Sequence, residues 1–219
     1  MSDVVLVTGV GPGTGKAIVE CFADKGYTVA MLARSEQRLE AIAEATPNAQ
    51  PFVCDVTDEA RLAAVLDEIR SKFGAPKIVI HNAVGAERGT YLEVDADKMR
   101  AAFEINTMAL LSLAKQLVPD MQAGGGGALI ATGNTSAYRG KARFAGFAPT
   151  KAAQRILLES IARQAGPQGV HVAYVAIDAV IDLAWTREAF PNKPDDFFCQ
   201  PADIASEVLR IARQPRSAW

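Results

Sequence analysis

Thr8-Gly9-Val10-Gly11-Pro12-Gly13-Thr14-Gly15 is the stretch whose residue types and spacing point most directly to chemistry. It follows the β-favouring run Val4-Val5-Leu6-Val7 and precedes Lys16-Ala17-Ile18-Val19, which has helical character. Glycine lets the chain turn at unusual φ/ψ and lets a phosphate come close to the backbone. The helix that follows offers unpaired N–H groups and the positive end of its dipole to an anion. This strand, glycine turn and helix form a diphosphate cradle. No Ser or Thr follows Lys16, so the triphosphate-loop spacing fails and a dinucleotide is favoured. At the end of the next apolar run, Ala33-Arg34-Ser35 has no carboxylate to bind ribose hydroxyls or repel a 2′-phosphate. Arg34 supplies a guanidinium for that phosphate, which favours NADP(H) over NAD(H).

Other polar residues stand where apolar runs end. Asp55-Val56 follows Pro51-Phe52-Val53-Cys54, and Asp55 either orders its loop or accepts a hydrogen bond from an adenine amino group. Asn82 is placed to fasten neighbouring strands through its amide, and small Ala83 leaves room for a cofactor. His81 reads as a strand-end residue with no adjoining carboxylate. Asn106 interrupts an apolar helical surface, so its amide is either a helix-to-helix clamp or a ligand for a functional water. The polar loop from Thr132 to Tyr138 follows a strand, where a substrate site is expected.

The elements that must position these residues alternate regularly. Strands are expected at 4–7, 27–32, 51–54, 77–80, 128–131 and 170–177. Helices are expected over 14–24, 36–44, from Thr57 as N-cap through Ile69, 95–121, from Phe147 to Gly166, and from Pro201 onward. The α/β alternation predicts a Rossmann-type doubly wound parallel sheet flanked by helices, a three-layer sandwich forming one domain over residues 1–219. From Asp178 to Gln200 the chain is irregular and aromatic, which suits a substrate lid or a packed surface loop. The helical region around Asn106 is apolar on more than one side. Together with the helix around Ile156 it suggests a homo-oligomer, a dimer through these long helices.

With 219 residues and 49% of them hydrophobic, the chain has the means to bury one substantial core. A net charge of -2, with basic residues dispersed, argues against nucleic acid as a partner. Cys21, Cys54 and Cys199 are widely separated and lack metal-ligand spacing, so reduced thiols and no metal are expected. The early first strand leaves no room for a signal peptide and no apolar run is long enough for a membrane span, so a cytoplasmic protein is expected.

Together these motifs resemble the short-chain dehydrogenase/reductase family over essentially the whole chain. The segment from Thr8 to Gly15 looks like its TGxxxGxG cofactor motif, Asp55-Val56 like its adenine-binding pair, and Asn82-Ala83-Val84 like its NAG motif with Val in place of Gly. The resemblance implies that Asn106 is the helix asparagine that holds a relay water. It implies that Lys151 binds the nicotinamide ribose and lowers the pKa of a catalytic tyrosine. The expected tyrosine falls on Phe147, however, and the expected serine on Asn134. After the sixth strand the usual Pro-Gly is replaced near Asp178-Ala179, Ile181 would meet the carboxamide, and Leu183 replaces a threonine. A seventh strand is expected, yet the sequence reaches Trp219 without one.

Phe147 has no hydroxyl to give, whereas Asn134 retains an amide donor for a substrate oxygen. Loss of a general acid removes roughly 10²–10⁴ in rate, which leaves hydride transfer feasible. The substitute donors weighed from sequence are a water on Asn106 and Lys151 and the hydroxyls of Thr135, Ser136 and Tyr138. The expected function is an NADP-dependent oxidoreductase acting on a carbonyl or alcohol of a small-molecule substrate with a remodelled proton donor. Its rivals are a catalytically silent NADP(H)-binding sensor or oligomer partner, and a fold relic that binds no nucleotide.

Overall fold

The computed structural model describes residues 3–219. Six parallel strands lie in the order β3-β2-β1-β4-β5-β6: β1 is Val4–Thr8, β2 Thr28–Ala33, β3 Ala49–Val53, β4 Ile78–His81, β5 Gly127–Gly133 and β6 Val170–Ala176. Their near-continuous apolar sequences are what a sheet covered on both faces requires. Side chains alternate across it. Leu6 faces one core with Leu32, Val79 and Leu129, while Val5 and Val7 face the other with Val29, Met31, Ile80 and Ile130. Pro51 is accommodated because β3 is an edge strand, with no ladder bond to lose on its outer side.

Helices α1 (Thr14–Ala23), α2 (Glu36–Ala45) and α8 (Pro201–Ala212) cover one face; α3 (Glu59–Phe73), α5 (Ala109–Ala123) and α6 (Ala148–Ala165) cover the other. α8 packs its Ile204, Ala205, Val208 and Leu209 beside Ile18, Val19 and Phe22 of α1. The N-cap of α3 is Asp58, which accepts from the Arg61 backbone N–H at 2.9 Å, rather than Thr57. Thr57 instead gives both its N–H and its hydroxyl to Asp55, in an Asx-type loop. α4 (Ala96–Phe103) runs into α5 through one π-helical turn, Glu104–Met108.

The 178–200 segment is not irregular. Val180–Ile181 (β7) and Phe198–Cys199 (β8) form a small parallel pair around α7 (Ala184–Ala189). Arg187 pins this flap, with Nε and a terminal nitrogen on the two oxygens of Asp182 at 2.6 and 2.8 Å and another on Asp195 at 2.5 Å. Its guanidinium also lies 4.1 Å from the centre of the Phe198 ring. Strands of two residues are too short to leave a period-2 signal, which is why the sequence reads as loop there. Among the described residues, no helix is long and apolar enough to cross a membrane.

Strand order reverses direction between β1 and β4, so their carboxyl ends splay apart. Loops after these two strands leave to opposite faces and open a crevice there.

Candidate active site

The crevice is a groove of about 1180 Å³, above the roughly 300–1,000 Å³ typical of small-molecule sites. One end is lined by the glycine loop, Arg34, Ser35, Arg38, Asp55 and Val56. The other is lined by Val84, Arg88, Ile105, Asn134, Phe147 and Lys151, with Ile181, Leu183 and Trp185 of the flap alongside. Among the described residues no group of His, Cys, Asp and Glu is placed to hold a metal ion.

The glycine loop fits an anion by what it leaves open. α2, α3 and α4 each start under a side-chain oxygen, from Ser35, Asp58 and Asp95 respectively. α1 starts at Gly13 with no side-chain cap and no acid in its first turn. Gly11 and Gly13 accept from the backbone N–H groups of Lys16 and Ala17, while the N–H groups of Thr14 and Gly15 lie in the first turn, where a helix supplies no acceptor. Those two residues line the groove. Gly9 has φ +69°, and a Cβ there would lie 2.4 Å from the Ala83 backbone, so the β1 and β4 loops touch only because this residue is glycine.

Asn82 fastens three segments, as its position suggests. Its Nδ2 donates to the Gly9 carbonyl at 2.9 Å, and its Oδ1 accepts from Thr132 Oγ1 at 2.8 Å. Thr8, expected against the cofactor, does not line the groove. Its fully buried hydroxyl meets His81 Nδ1 at 2.9 Å, because the last side chain of β1 points into the sheet's packing. His81 Nε2 lies 3.0 Å from the Ile105 carbonyl, which only accepts, so Nε2 carries the proton and Nδ1 accepts from Thr8. Burial holds this imidazole neutral, with its pKa pushed down to about 4.

Arg34 lines the glycine-loop end of the groove and makes no ion pair with a described residue. Arg38, one turn into α2, lines the same wall and was not singled out from sequence. Asp55 orders its loop through Thr57. That N–H and hydroxyl, with Arg34 adding a smaller attraction, keep its carboxyl below the usual range.

The π-helical turn places Asn106 inward, where both of its amide N–H groups and its Oδ1 find partners. Oδ1 accepts from the Gly85 N–H at 3.0 Å, while Nδ2 donates to the Gly85 carbonyl and to Thr150 Oγ1, both at 2.8 Å. Asn106 therefore clamps the β4 loop to α6, with both amide N–H groups engaged and one acceptor site on Oδ1 taken by Gly85. Thr150 completes the joint by donating to the Phe147 carbonyl at 2.8 Å. Extra-residue turns of this kind recur at functional sites.

Gln154 takes the Asn106 carbonyl. Its Nε2 donates there at 2.6 Å, and its Oε1 accepts from Lys151 Nζ at 2.5 Å. Lys151 Nζ also donates to the Thr132 carbonyl at 3.1 Å. No carboxylate offsets the burial of this amine, and its pKa is driven down to about 7. Gln154 stands three residues beyond Lys151 on one helical face, a polar group where the core stripe calls for an apolar one. That was the available sequence signal.

Phe147 is buried at the N-cap of α6 with its ring 6.2 Å from that of Phe144. Asn134 is held through its backbone: its N–H donates to the Tyr174 hydroxyl at 3.0 Å, and that hydroxyl donates to its carbonyl at 3.1 Å. Its Oδ1 accepts from the Ser136 N–H at 3.0 Å, which fixes the amide so that Nδ2 is the atom left to donate. Tyr174, on β6, is a positioning residue that the strand pattern did not reveal. None of Thr135, Ser136 and Tyr138 lines the groove. Thr135 donates to Asp178, Ser136 is buried, and Tyr138 lies under the Arg155 guanidinium.

The family described as short chain dehydrogenase matches residues 3–189. The chain belongs to the short-chain dehydrogenase family. Similar curated proteins include the 7alpha-hydroxysteroid dehydrogenase of Escherichia coli K12, 27% identical over 98% of this chain and 88% of that protein. A 3-oxoacyl-[acyl-carrier-protein] reductase of Salmonella typhimurium is 29% identical over 98% of this chain and 91% of its own. Among solved structures, L-sorbose reductase from Gluconobacter frateurii complexed with NADPH and L-sorbose superposes with a TM-score of 0.88. It is 25% identical and covers 100% of this chain and 92% of that one. Family membership supports an NAD(P)-dependent oxidoreductase, and the six-stranded sheet matches the family's fold.

Proposed function

We propose that this protein is an NADP(H)-dependent oxidoreductase that interconverts a small carbonyl compound and its alcohol, with the proton moved by a group other than Phe147. The observation that carries this reading is the juxtaposition in one groove of an uncapped glycine-loop helix, a free Arg34 and a buried Lys151. Gly9, Gly11, Gly13, Thr14 and Gly15 would cradle the diphosphate, Arg34 the 2′-phosphate, Asp55 and Val56 the adenine, and Asn82, Ala83, Lys151 and Ile181 the nicotinamide end. When bound in reduced form, the cofactor supplies hydride to a carbonyl carbon. Asn134 Nδ2 would orient the carbonyl oxygen by a hydrogen bond, and Phe147 with Trp185 would exclude water from it.

Titration of NADPH and NADH, followed by fluorescence, tests the first half; turnover of a broad carbonyl and alcohol panel tests the second. Tighter binding of NADPH and cofactor-dependent turnover are expected. Binding without turnover anywhere in the panel would favour a nucleotide-binding sensor. We further infer self-association through α5 and α6, where Met108, at the end of the π-helical turn leading into α5, and Ile156 of α6 are exposed apolar residues; Ile156 is 49% exposed. Sedimentation should show a dimer that Ile156→Glu converts to monomer, and a monomeric wild type would contradict it.

A further inference from the structure

We infer that Lys151 is itself the acid and base of this site, and that Gln154 is the positioning residue that aims it by occupying, with its own amide, the link between Lys151 and the Asn106 carbonyl. This rests on the oxidoreductase reading above.

The argument is one of elimination joined to geometry. Phe147 has no proton to give, Asn106 spends both amide N–H groups on Gly85 and Thr150, and Thr135, Ser136 and Tyr138 stand outside the groove. Thr132, which does line it, spends its hydroxyl on Asn82. Arg88 stays protonated at any working pH, and Asp182 is held by Arg187 and Gln200. Lys151 remains: a primary amine lining the groove, with two of its bonds fixed in the wall.

Those two bonds decide what the nitrogen does. Gln154 Oε1 and the Thr132 carbonyl only accept, so Nζ must donate to both. A neutral amine then has only its lone pair left for the groove, and an ammonium only its third N–H. The same atom is thus poised as base in one state and acid in the other. Gln154 cannot slip, because its Nε2 is anchored on Asn106 at 2.6 Å and it is fully buried. A water in its place would pass protons along the relay; an amide nitrogen does not, so Lys151 exchanges its proton on the groove side.

In reduction, the carbonyl oxygen takes the Nζ proton as its carbon gains hydride, the alcohol leaves, and the neutral amine regains a proton from solvent. In oxidation, the amine takes the hydroxyl proton. The titratable group that faces Lys151 from β4 is His81, which is neutral above about pH 4; from β5 and α6 it meets the uncharged Thr132 carbonyl and Gln154, and Gln154 in turn binds Asn106 of the π turn. Its ionisation therefore answers to burial and to these two acceptors, and a proton affinity near neutrality suits an acid and base at working pH.

The test follows Lys151 directly, by 13Cε-lysine NMR titration of the cofactor-free protein, alongside the pH profile of carbonyl reduction with NADPH. In wild type one lysine resonance should titrate near pH 7, and reduction should fall tenfold per pH unit above it. Gln154→Glu, which adds a carboxylate partner, should move both upward by more than one pH unit. Gln154→Met, of similar volume with no amide, should move both downward. If the lysine titration moves and the rate limb does not, Lys151 is not the proton donor. Should neither variant move the lysine, Gln154 does not hold it. Absence of turnover at every pH by wild type that binds NADPH would overturn the oxidoreductase reading and the donor role with it, while the NMR shifts would still report the Gln154 contact.

Discussion

Leu183 of the flap rests on Gly13 of the glycine loop: a Cβ at that glycine would lie 2.2 Å from Leu183 Cδ2. Flap and cradle therefore meet at one point, and the cost of a side chain there differs from its cost at Gly9. At Gly13 the obstacle is the far end of a flexible side chain, so Gly13→Ala should leave the melting temperature nearly unchanged while lifting the flap and weakening NADPH binding. At Gly9 the obstacle is backbone at 2.4 Å and φ is +69°, so Gly9→Ala should cost about 1–3 kcal/mol or more. Thermal melts with NADPH titrations on both variants check this order.

Arg34 makes no ion pair with a described residue and so is available to an incoming phosphate. A charge-assisted hydrogen bond is worth about 1.5–3 kcal/mol, so Arg34→Ala should weaken NADPH binding by roughly 10- to 100-fold and leave NADH within about twofold. Equal losses for both cofactors would assign Arg34 a structural role instead. Arg38 on the same wall should limit the loss, and the Arg34/Arg38 double alanine variant should abolish the preference.

His81 and Lys151 make stability depend on pH in a definite direction. Both are bases whose folded pKa is depressed, so the unfolded chain binds more protons and stability rises with pH through each window. For His81, stability is lost as pH falls from 6.5 to about 4, on the order of 3 kcal/mol. For Lys151, burial of the ammonium costs most below pH 7, and that cost is relieved between about 7 and 10.5. Lys151→Met should therefore stabilise the fold more at pH 6 than at pH 10, and His81→Gln should flatten the acid limb. Urea unfolding across pH 4–10 measures both differences.

Arg187 binds Asp182, Asp195 and the Phe198 ring at once, which joins three parts of the flap through one side chain. Arg187→Ala should speed proteolytic cleavage within residues 178–200 and raise the KM for NADPH more than it lowers kcat. An unchanged cleavage pattern would mean that the β7–β8 pairing holds the flap without it.

Element order, the parallel sheet and the glycine turn that lines the groove were legible because they rest on local signals: apolar runs and turn glycines. The two-residue strands of the flap, the π-helical turn at Glu104–Met108 and the Asp58 cap were not, since each depends on a shift of one or two residues that side-chain periodicity does not resolve. The sequence offers Asn106 as clamp or water ligand, and the clamp becomes visible only in its three amide contacts. Gln154 and Tyr174 escaped notice for a related reason. The Asn106 carbonyl that Gln154 binds and the Asn134 carbonyl that Tyr174 binds lie 48 and 40 residues away along the chain, so only the Gln154–Lys151 spacing of three is local.

The most direct test of the account compares NADPH binding and carbonyl turnover in the wild type, in Lys151→Met, and in the Phe147→Tyr/Asn134→Ser double variant. The account predicts that wild type turns over, that Lys151→Met still binds NADPH but loses roughly 10²–10⁴ in kcat, and that the double variant is active as well. Turnover confined to the double variant, with wild type binding NADPH and reducing nothing, would contradict it.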